Sequence, residues 1–374
     1  MEETREERSE RIKKGELREG WTTGTCASAS AKAATLILLG EENPDKVEVE
    51  LPIKERKAEI KINRYGKSKY EAFSTVIKDA GDDPDVTHGA EIGAIVRFGK
   101  EKGIKIIGGE GVGVITKPGL GLEIGEPDIT PVPRKMIKNA VISAIRNLKL
   151  NENDVDLEVE IFVPEGKERA KKTLLERLGV IGGIGILGTL GIVVPYSTGA
   201  WKASIARQIS VAKESGVDTI VGTTGRQSEE LAKKFFHNIP DVAFVDIGDF
   251  IGFTIRYAES KGIKRFIYAG FPAKISKFAK GEEFTHAKKS SIDINFLVDL
   301  VKQIYNINED IQNELLSSNT VREFTEKAKA FGLTKVFEKL TELAQKRCNE
   351  LCYNKIHSEV IMFDFEGEIL HYRK

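Results

Sequence analysis

Cysteine is nearly missing from this chain: only Cys26, Cys348 and Cys352 occur in 374 residues. So sparse and odd a set builds no disulfide framework, which points to a reducing compartment, and a cytoplasmic location is expected. Cys348 and Cys352 stand four apart on an expected helix. Two thiolates without further His or Cys neighbours make a poor zinc site, and no metal site is expected. A charge excess is absent too. Lys plus Arg and Asp plus Glu both number 57, whereas nucleic-acid binders show a basic excess or stripe. The basic run Lys167–Lys172 is interleaved with Glu168 and Ala170 and reads as a solvated helix face, so no nucleic-acid partner is expected. Long apolar runs are lacking as well. Leu178–Trp201 carries no charge, but Gly182, Gly183, Gly185, Gly188, Gly191 and Pro195 interrupt it. Such a stretch is a weak helix former, so a glycine-rich strand and loop is expected and no membrane span. Met1–Lys14 alternates Glu and Arg without the apolar segment of a signal peptide.

What remains is a globular composition, 40% apolar and 30% charged, in a chain long enough for two domains. The expected fold is an α+β N-terminal domain followed by an α/β Rossmann-like domain with a helical C-terminal extension. The boundaries are a charged tail over 1–16, an α+β substrate-binding domain over 17–195 and a Rossmann-like region over 196–374. In the first part Val47–Ile53, Ala58–Ile62, Tyr70–Ile77, Glu91–Phe98, Ile104–Ile107 and Leu157–Val163 read as strands, and about Arg134–Leu148 and Lys167–Leu178 as helices. Strands in runs with few helices argue for a mixed sheet covered on one side. After Pro195 a helix is expected with Trp201, Ile205, Ile209 and Ala212 on one face. Short apolar strands at Thr219–Val221, Val242–Val245 and Arg265–Tyr268 alternate with helices over Ser228–Phe236 and Phe250–Lys261, the rhythm of a parallel sheet. The rest is mostly helical, closed by a hairpin of Val360–Phe365 and Glu368–Tyr372.

Chemistry concentrates in a few loops. Thr219–Val221 runs into Gly222-Thr223-Thr224-Gly225, then a helix, and the next strand ends in Asp246, followed by Gly248-Asp249. An acidic residue about 20 positions beyond a glycine turn is where a doubly wound fold binds a ribose. These seven residues are therefore candidates for an adenosine-type ligand; the alternative is a tight turn with Asp246 or Asp249 capping the next helix. The string Gly183-Ile184-Gly185-Ile186-Leu187-Gly188 follows a helix rather than a strand, so close backbone packing accounts for it better than a dinucleotide does. Thr22-Thr23-Gly24-Thr25 opens a helix of small residues, which reads either as an anion site at free N–H groups or as tight packing on a sheet. Cys26 there reads as inert. Lys78–Gly89 holds Asp79, Asp82, Asp83, Asp85 and His88, either an Asx-turn loop or a site where crowding raises one carboxyl's pKa toward neutrality. Gly108–Gly113 bends sharply and carries Glu110, and Pro131-Val132-Pro133-Arg134 offers a cation beside rigid backbone.

Together these strings resemble the cobalt-precorrin-5B C1-methyltransferases of anaerobic cobalamin synthesis, the CbiD family. The resemblance runs nearly collinearly from about Leu17 to Leu297. It covers Gly20–Cys26, Lys78–Gly89, Gly108–Gly113, Thr116–Leu120, Pro131–Arg134, Gly182–Thr189 and Thr285-His286. It implies S-adenosylmethionine as donor and a cobalt-precorrin tetrapyrrole as acceptor, methylated at C1. It also sets the chain apart from the common tetrapyrrole methyltransferases, whose glycine-rich signature is missing. The carboxylate-rich ring would be met by Thr22, Thr23, Thr25 and Arg134, with Asp79 and Glu110 also at the substrate and Asp83 or His88 handling a proton. Gly270-Phe271-Pro272-Ala273-Lys274 departs from the family pattern, where a histidine is expected after the glycine. Two other readings compete: a small-molecule kinase, which lacks its P-loop lysine here, and a tetrapyrrole-binding protein without turnover. The oligomeric state stays open, a homo-oligomer included.

Overall fold

The structure, a computed structural model, describes residues 14–41, 44–53, 55–286 and 292–374. The expected charged tail lies, up to residue 13, outside the described residues. Chain contacts divide the protein into two compact units, with the break between Ser197 and Thr198.

The first unit opens with β1 (Gly20–Trp21) and helix α1 (Thr23–Leu39), then β2 (Lys46–Glu50), β3 (Lys57–Lys61), β4 (Arg64–Lys67), β5 (Glu71–Ile77), β6 (Glu91–Phe98), β7 (Ile104–Gly108) and β8 (Val114–Ile115). Helix α2 (Pro131–Asn147), β9 (Leu157–Phe162), the short α3 (Gly166–Ala170), β10 (Val180–Ile181) and β11 (Ile192–Val193) follow. The main sheet has the order β4-β5-β6-β9-β7, antiparallel except for the β7–β9 pair. Its inward row, with Ala72, Val76, Ile92, Ala94, Val96, Val159 and Ile161, faces α1 and α2. α1 is buried along almost its whole length, because Gly24, Ala27, Ser28, Ala29, Ser30 and Ala31 let the sheet and α2 approach from different sides.

The second unit contains α4 (Thr198–Glu214), β12 (Thr219–Thr223), α5 (Arg226–Phe235), β13 (Phe244–Asp246), α6 (Ile251–Ser260), β14 (Arg265–Gly270) and α7 (Pro272–Lys280). Helices α8 (Ile294–Ile304), α9 (Glu309–Leu316), α10 (Val321–Ala330) and α11 (Lys335–Leu351) lead to β15 (His357–Phe363) and β16 (Ile369–Arg373). The sheet order is β13-β12-β14-β15-β16, parallel except for the last pair. The two faces separate by strict alternation. Ile220, Val245, Phe266, Tyr268, Val360 and Met362 join the core under α4, α6, α7 and the C-terminal helices. Val221, Phe244, Ile267, Ala269, Ile361 and Phe363 face α5. From β12 the chain moves first to β13 on one side and then to β14 on the other. Strand order therefore reverses at β12, and in open parallel sheets the crevice beyond the carboxyl ends at such a reversal is the ligand position. Among the described residues no helix is long and apolar enough to cross a membrane.

Several elements differ from the sequence expectation for local reasons. The Lys167–Leu178 helix stops at Ala170, where the Thr173 hydroxyl donates to the Ala170 carbonyl and accepts the Leu175 N–H; side-chain bonds of this kind compete with helix propagation. β13 begins at Phe244 because Pro240 leads into a 3-10 turn over Asp241–Ala243. α2 starts three residues early, with proline at its first positions. Trp201 does not share the burial of Ile205, Ile209 and Ala212: it is 46% exposed.

The glycine string after β10 serves close backbone packing. A Cβ on Gly183 would lie 2.0 Å from the Gly111 carbonyl oxygen, and one on Gly111 would lie 1.8 Å from that of Val163. Gly111 also has φ +70°. Gly111→Ala is therefore expected to lower stability by at least about 2 kcal/mol, by overpacking two locked backbones. Gly182→Ala, with φ +86° but open space around its Cβ, should cost only about 1–2 kcal/mol. Urea unfolding of the two variants checks the difference.

Candidate functional site

In the first unit the structure draws several of the singled-out strings to one end of the sheet. Thr22 caps α1: its hydroxyl accepts the Thr25 N–H at 3.2 Å. The Thr25 hydroxyl donates to the Gly191 carbonyl at 2.6 Å, and Thr23 accepts the Leu187 N–H at 2.7 Å. Gly24 N–H donates to the Leu187 carbonyl. The Gly24 and Thr25 N–H donors that could serve an anion are thus taken by the protein itself, and all three threonines are buried. Pro133 packs on the same turn, since a Cβ on Gly24 would touch its ring at 2.7 Å. Arg134 follows on α2, half-buried, and its Nη2 is buried without a hydrogen-bond partner. Burial pushes the Cys26 thiol up to about 12, so it is inert as a nucleophile at neutral pH.

The aspartate loop packs against β1: Trp21 N–H donates to the Asp79 carbonyl, and a Cβ on Gly20 would overlap the Ala80 backbone. Arg18 grips the Asp79 carboxylate through both terminal nitrogens. That hydrogen bonding, together with the Arg18 charge and the Gly81 N–H, holds the Asp79 carboxyl below its ordinary range. Lys78, 1% exposed, reaches Asp85 at 2.7 Å. Burial alone would raise the Asp85 carboxyl, but the Lys78 charge and bonds from Lys78 and Thr87 outweigh it, so the net direction is down. Asp83 goes the other way. Burial raises its carboxyl above the usual range although its Oδ1 accepts the Tyr196 N–H at 2.9 Å. His88 accepts the Ala80 N–H on Nδ1 at 3.1 Å, which assigns its proton to Nε2 in the neutral ring. Arg169 clamps the loop through the Val86 and His88 carbonyls. Glu110 is exposed on its glycine bend. No three His, Cys, Asp or Glu side chains gather as a metal ion would require, among the described residues.

In the second unit the loops at the carboxyl ends of β12, β13 and β14 converge. Gly222 lies in β12, where a Cβ would meet the Phe266 ring at 2.8 Å. The Thr223 hydroxyl is committed to the Val245 carbonyl at 3.2 Å. Thr224 N–H donates to Ser228, and α5 begins at Gly225, φ +150°, with no side-chain cap. Asp246 ends β13 beside Thr223, half-buried, its Oδ1 accepting the Gly248 N–H at 3.2 Å. Lys274, at the start of α7, joins all three loops: its ammonium donates to the Thr224 carbonyl at 3.0 Å and the Gly248 carbonyl at 3.1 Å, and lies 3.1 Å from Asp249 Oδ1. The Thr285 hydroxyl donates to the same Asp249 oxygen at 3.0 Å. A hollow lined by Gln345, Asn349, Asn354 and His357 lies at the start of β15, the amino end of the sheet. Its lining is mostly polar, with Ile356 the apolar residue in it, and offers little apolar wall for a ring.

Arg18, Arg169 and Lys274 were not singled out from sequence as partners of these loops. Their acceptors lie 61, 81 or more, and 26 to 50 residues away. Only the Gly270–Lys274 string, conspicuous for lacking a histidine, carried a signal.

Two outcomes follow from the aspartate loop. Lys78→Met leaves the Asp85 carboxylate without its cation and is expected to cost about 3 kcal/mol in urea unfolding, much of it recovered by Lys78→Met with Asp85→Leu. Asp79 and Asp85 have lowered folded pKa values, so their stabilisation is present above the unfolded carboxylate pKa and is lost as pH falls through the folded values. Melting temperature should drop on acidification below about pH 4, and less steeply in Arg18→Leu, which lacks the Asp79 part.

Comparison with known proteins yields consistent matches. The CbiD family model matches residues 10–195, and the model of the CbiD C-terminal domain matches residues 284–374. A Leptospira interrogans (serogroup Icterohaemorrhagiae, serovar copenhageni) protein named cobalt-precorrin-5B C(1)-methyltransferase is 44% identical over 354 residues, 95% of each chain. A Thermus thermophilus protein of the same name is 42% identical over 361 residues, 96% of this chain and 95% of its own. The crystal structure of the cobalamin biosynthesis protein (cbiD) from Archaeoglobus fulgidus is 30% identical, covering 71% of this chain and 80% of that one with a TM-score of 0.39. With identity of this level running along nearly the whole of both sequences, the chain belongs to the CbiD family.

Proposed function

We propose that this chain is an S-adenosylmethionine-dependent methyltransferase acting at ring carbon C1 of cobalt-precorrin-5B in cobalamin biosynthesis. The observation that carries this reading is the 44% identity, over 95% of both chains, with a protein named for that reaction. The donor is assigned to the second unit, read as Rossmann-like with a helical C-terminal extension, in the crevice where strand order reverses. The residues there suit such a ligand. α5 opens without a side-chain cap at Gly225, so its first N–H groups are suited to a carboxylate. Asp246 stands half-exposed at a strand end, as a ribose diol requires. Thr224, Gly225, Asp246 and Gly248 are the contacting residues in this reading. Gly222 and Thr223 shape the strand end, and Asp249 anchors Lys274.

When bound, the donor would supply an electrophilic methyl carbon on a sulfonium, open to in-line attack by the ring carbon with the neutral thioether as leaving group. The protein's task is orientation, holding the reacting atoms roughly 3–3.5 Å apart. In the first unit Arg134, with a buried nitrogen lacking a hydrogen-bond partner, is assigned to a carboxylate of the macrocycle, which such a cation binds strongly. Thr22, Thr23, Thr25, Asp79 and the exposed Glu110 are assigned to the same substrate in this reading. Asp83, raised by burial, keeps its proton to higher pH than a free aspartate, while His88 offers Nε2–H. This pair is assigned to hold or move a proton at the ring. The reducing cytoplasm is the proposed compartment, where the three cysteines persist as free, buried thiols.

Anaerobic incubation with cobalt-precorrin-5B and methyl-labelled S-adenosylmethionine should move label into the tetrapyrrole and release S-adenosylhomocysteine. Tetrapyrrole binding without label transfer would sink the proposal in favour of a binding protein, and thermal stabilisation by ATP but not S-adenosylhomocysteine in favour of a kinase. Asp246→Asn should weaken S-adenosylhomocysteine binding by about tenfold in calorimetry, the scale of one hydrogen bond to a charged group. Asp83→Asn and His88→Gln should each slow single-turnover methylation by about 100-fold without changing that affinity; unchanged rates in both would remove their proton role.

A further inference from the structure

Trp201 is the residue on α4 that breaks its own stripe. Ile205, Ile209 and Ala212 are fully buried, whereas the indole is 46% exposed. It is nevertheless not loose. A Cβ built on Gly248 would lie 3.1 Å from indole Cε2, Cζ2 and Nε1, so the ring rests directly on the backbone of the loop after β13. Phe250 backs it with ring centroids 6.4 Å apart and planes 28° from parallel, and Phe250 in turn packs on Phe284 at 4.8 Å. Phe284 stacks on His286 at 5.8 Å. One aromatic row thus fixes an indole that water still reaches.

Its place in the sheet gives the row a use. Gln208, two helical turns beyond Trp201 on α4, accepts the Asp246 N–H at 3.2 Å. Trp201 and Gln208 therefore lie on one side of the helix, about 10 Å apart along its axis, with Gln208 at the strand end and Trp201 beyond it at Gly248. In a doubly wound sheet the ribose is held by the acid at the end of the second strand, and the base continues outward over the loop that follows. That is where the indole lies. A neutral purine needs a flat apolar partner rather than a charge, and base–aromatic stacking contributes on the scale of about 1–3 kcal/mol.

We propose that Trp201 is the platform on which the adenine of the methyl donor stacks, and that residue 248 is glycine so that the indole can lie flat against the loop. This rests on the methyl-donor reading above. The chain has two tryptophans, so Trp21→Phe leaves Trp201 as the only indole reporter. Titrating that variant with S-adenosylhomocysteine should quench its emission, with a Kd matching calorimetry. In calorimetry on the full chain, Trp201→Ala should raise the Kd for S-adenosylhomocysteine by roughly 5- to 100-fold, and Trp201→Phe should recover part of the loss. Gly248→Ala, which pushes against the ring, should weaken binding in the same direction. Methionine, which lacks the base, should bind Trp201→Ala and wild type alike. Equal S-adenosylhomocysteine affinity in wild type and Trp201→Ala, with no emission change in Trp21→Phe, overturns this inference and leaves the methyltransferase reading standing. No binding to the wild type at all overturns both.

Discussion

The carboxyl end of the second sheet depends on one ammonium group. Lys274 reaches two main-chain carbonyls and a carboxylate, on the loops that follow β12 and β13, from the first turn of the helix that follows β14. A cation at that position opposes the helix macrodipole, whose N-terminal end is already positive. The placement is tolerable because all three acceptors carry negative charge or its partial equivalent, and because Asp249 is itself held by Thr285. Thr224 and Gly248 are thereby drawn to one point, and a Cβ on Gly270 would press on the Thr224 side chain at 3.2 Å. Any ligand at this strand-order reversal meets loops whose spacing Lys274 has set. Its ammonium already faces three protein oxygens, so it positions the crevice rather than contacting what enters.

The first unit solves a related problem with backbone instead of charge. Its loops have no room for side chains where they cross: Gly111 against Val163, Gly183 against Gly111, Gly188 against Thr22. Hydrogen bonds between main chains then tie segments far apart in sequence, such as Gly113 to Ile184 and Ile186 to Asp128. The glycine string that looks like a dinucleotide fingerprint is thus a seam between strands. Its spacing reflects which residues meet a close neighbour: the Gly111 backbone at Gly183, the Asp128 side chain at Gly185 and the Thr22 side chain at Gly188.

Legibility in the sequence follows the range of the interaction. The strands of the parallel sheet were readable because both faces are buried, so Thr219–Val221 and Arg265–Tyr268 appear as short apolar runs between helices. β4 was missed because Arg64-Tyr65-Gly66-Lys67 is a polar edge strand, with only one neighbour to select its residues. The glycine turn and Asp246 were visible since their spacing belongs to a single βαβ unit. Arg18 and Lys274 were not, because a cation's partner across 50 or 60 residues leaves no local pattern. Trp201 shows a different limit. Periodicity assigns a residue to a face, but the apolar stripe continues past the end of the sheet, and there the same face turns to solvent.

That distinction also separates two helix starts that look alike as ligand sites. α1 begins Thr22-Thr23-Gly24-Thr25, an ideal N-cap sequence, and for that reason it is closed: the cap hydroxyl and the Leu187 carbonyl take its Thr25 and Gly24 N–H donors. α5 begins at Gly225, which has no side chain to offer. Glycine at an N-cap costs a helix only a few tenths of a kcal/mol relative to serine or threonine. For that small loss the first turn of α5 keeps N–H groups that no cap side chain takes, at the end of β12 where strand order reverses. Residues that complete a helix end by themselves stabilise the fold and leave little for a ligand to do. An anion site is better sought where a capping residue is missing and the neighbouring loops are nevertheless held in place, and in the second unit Lys274 does that holding.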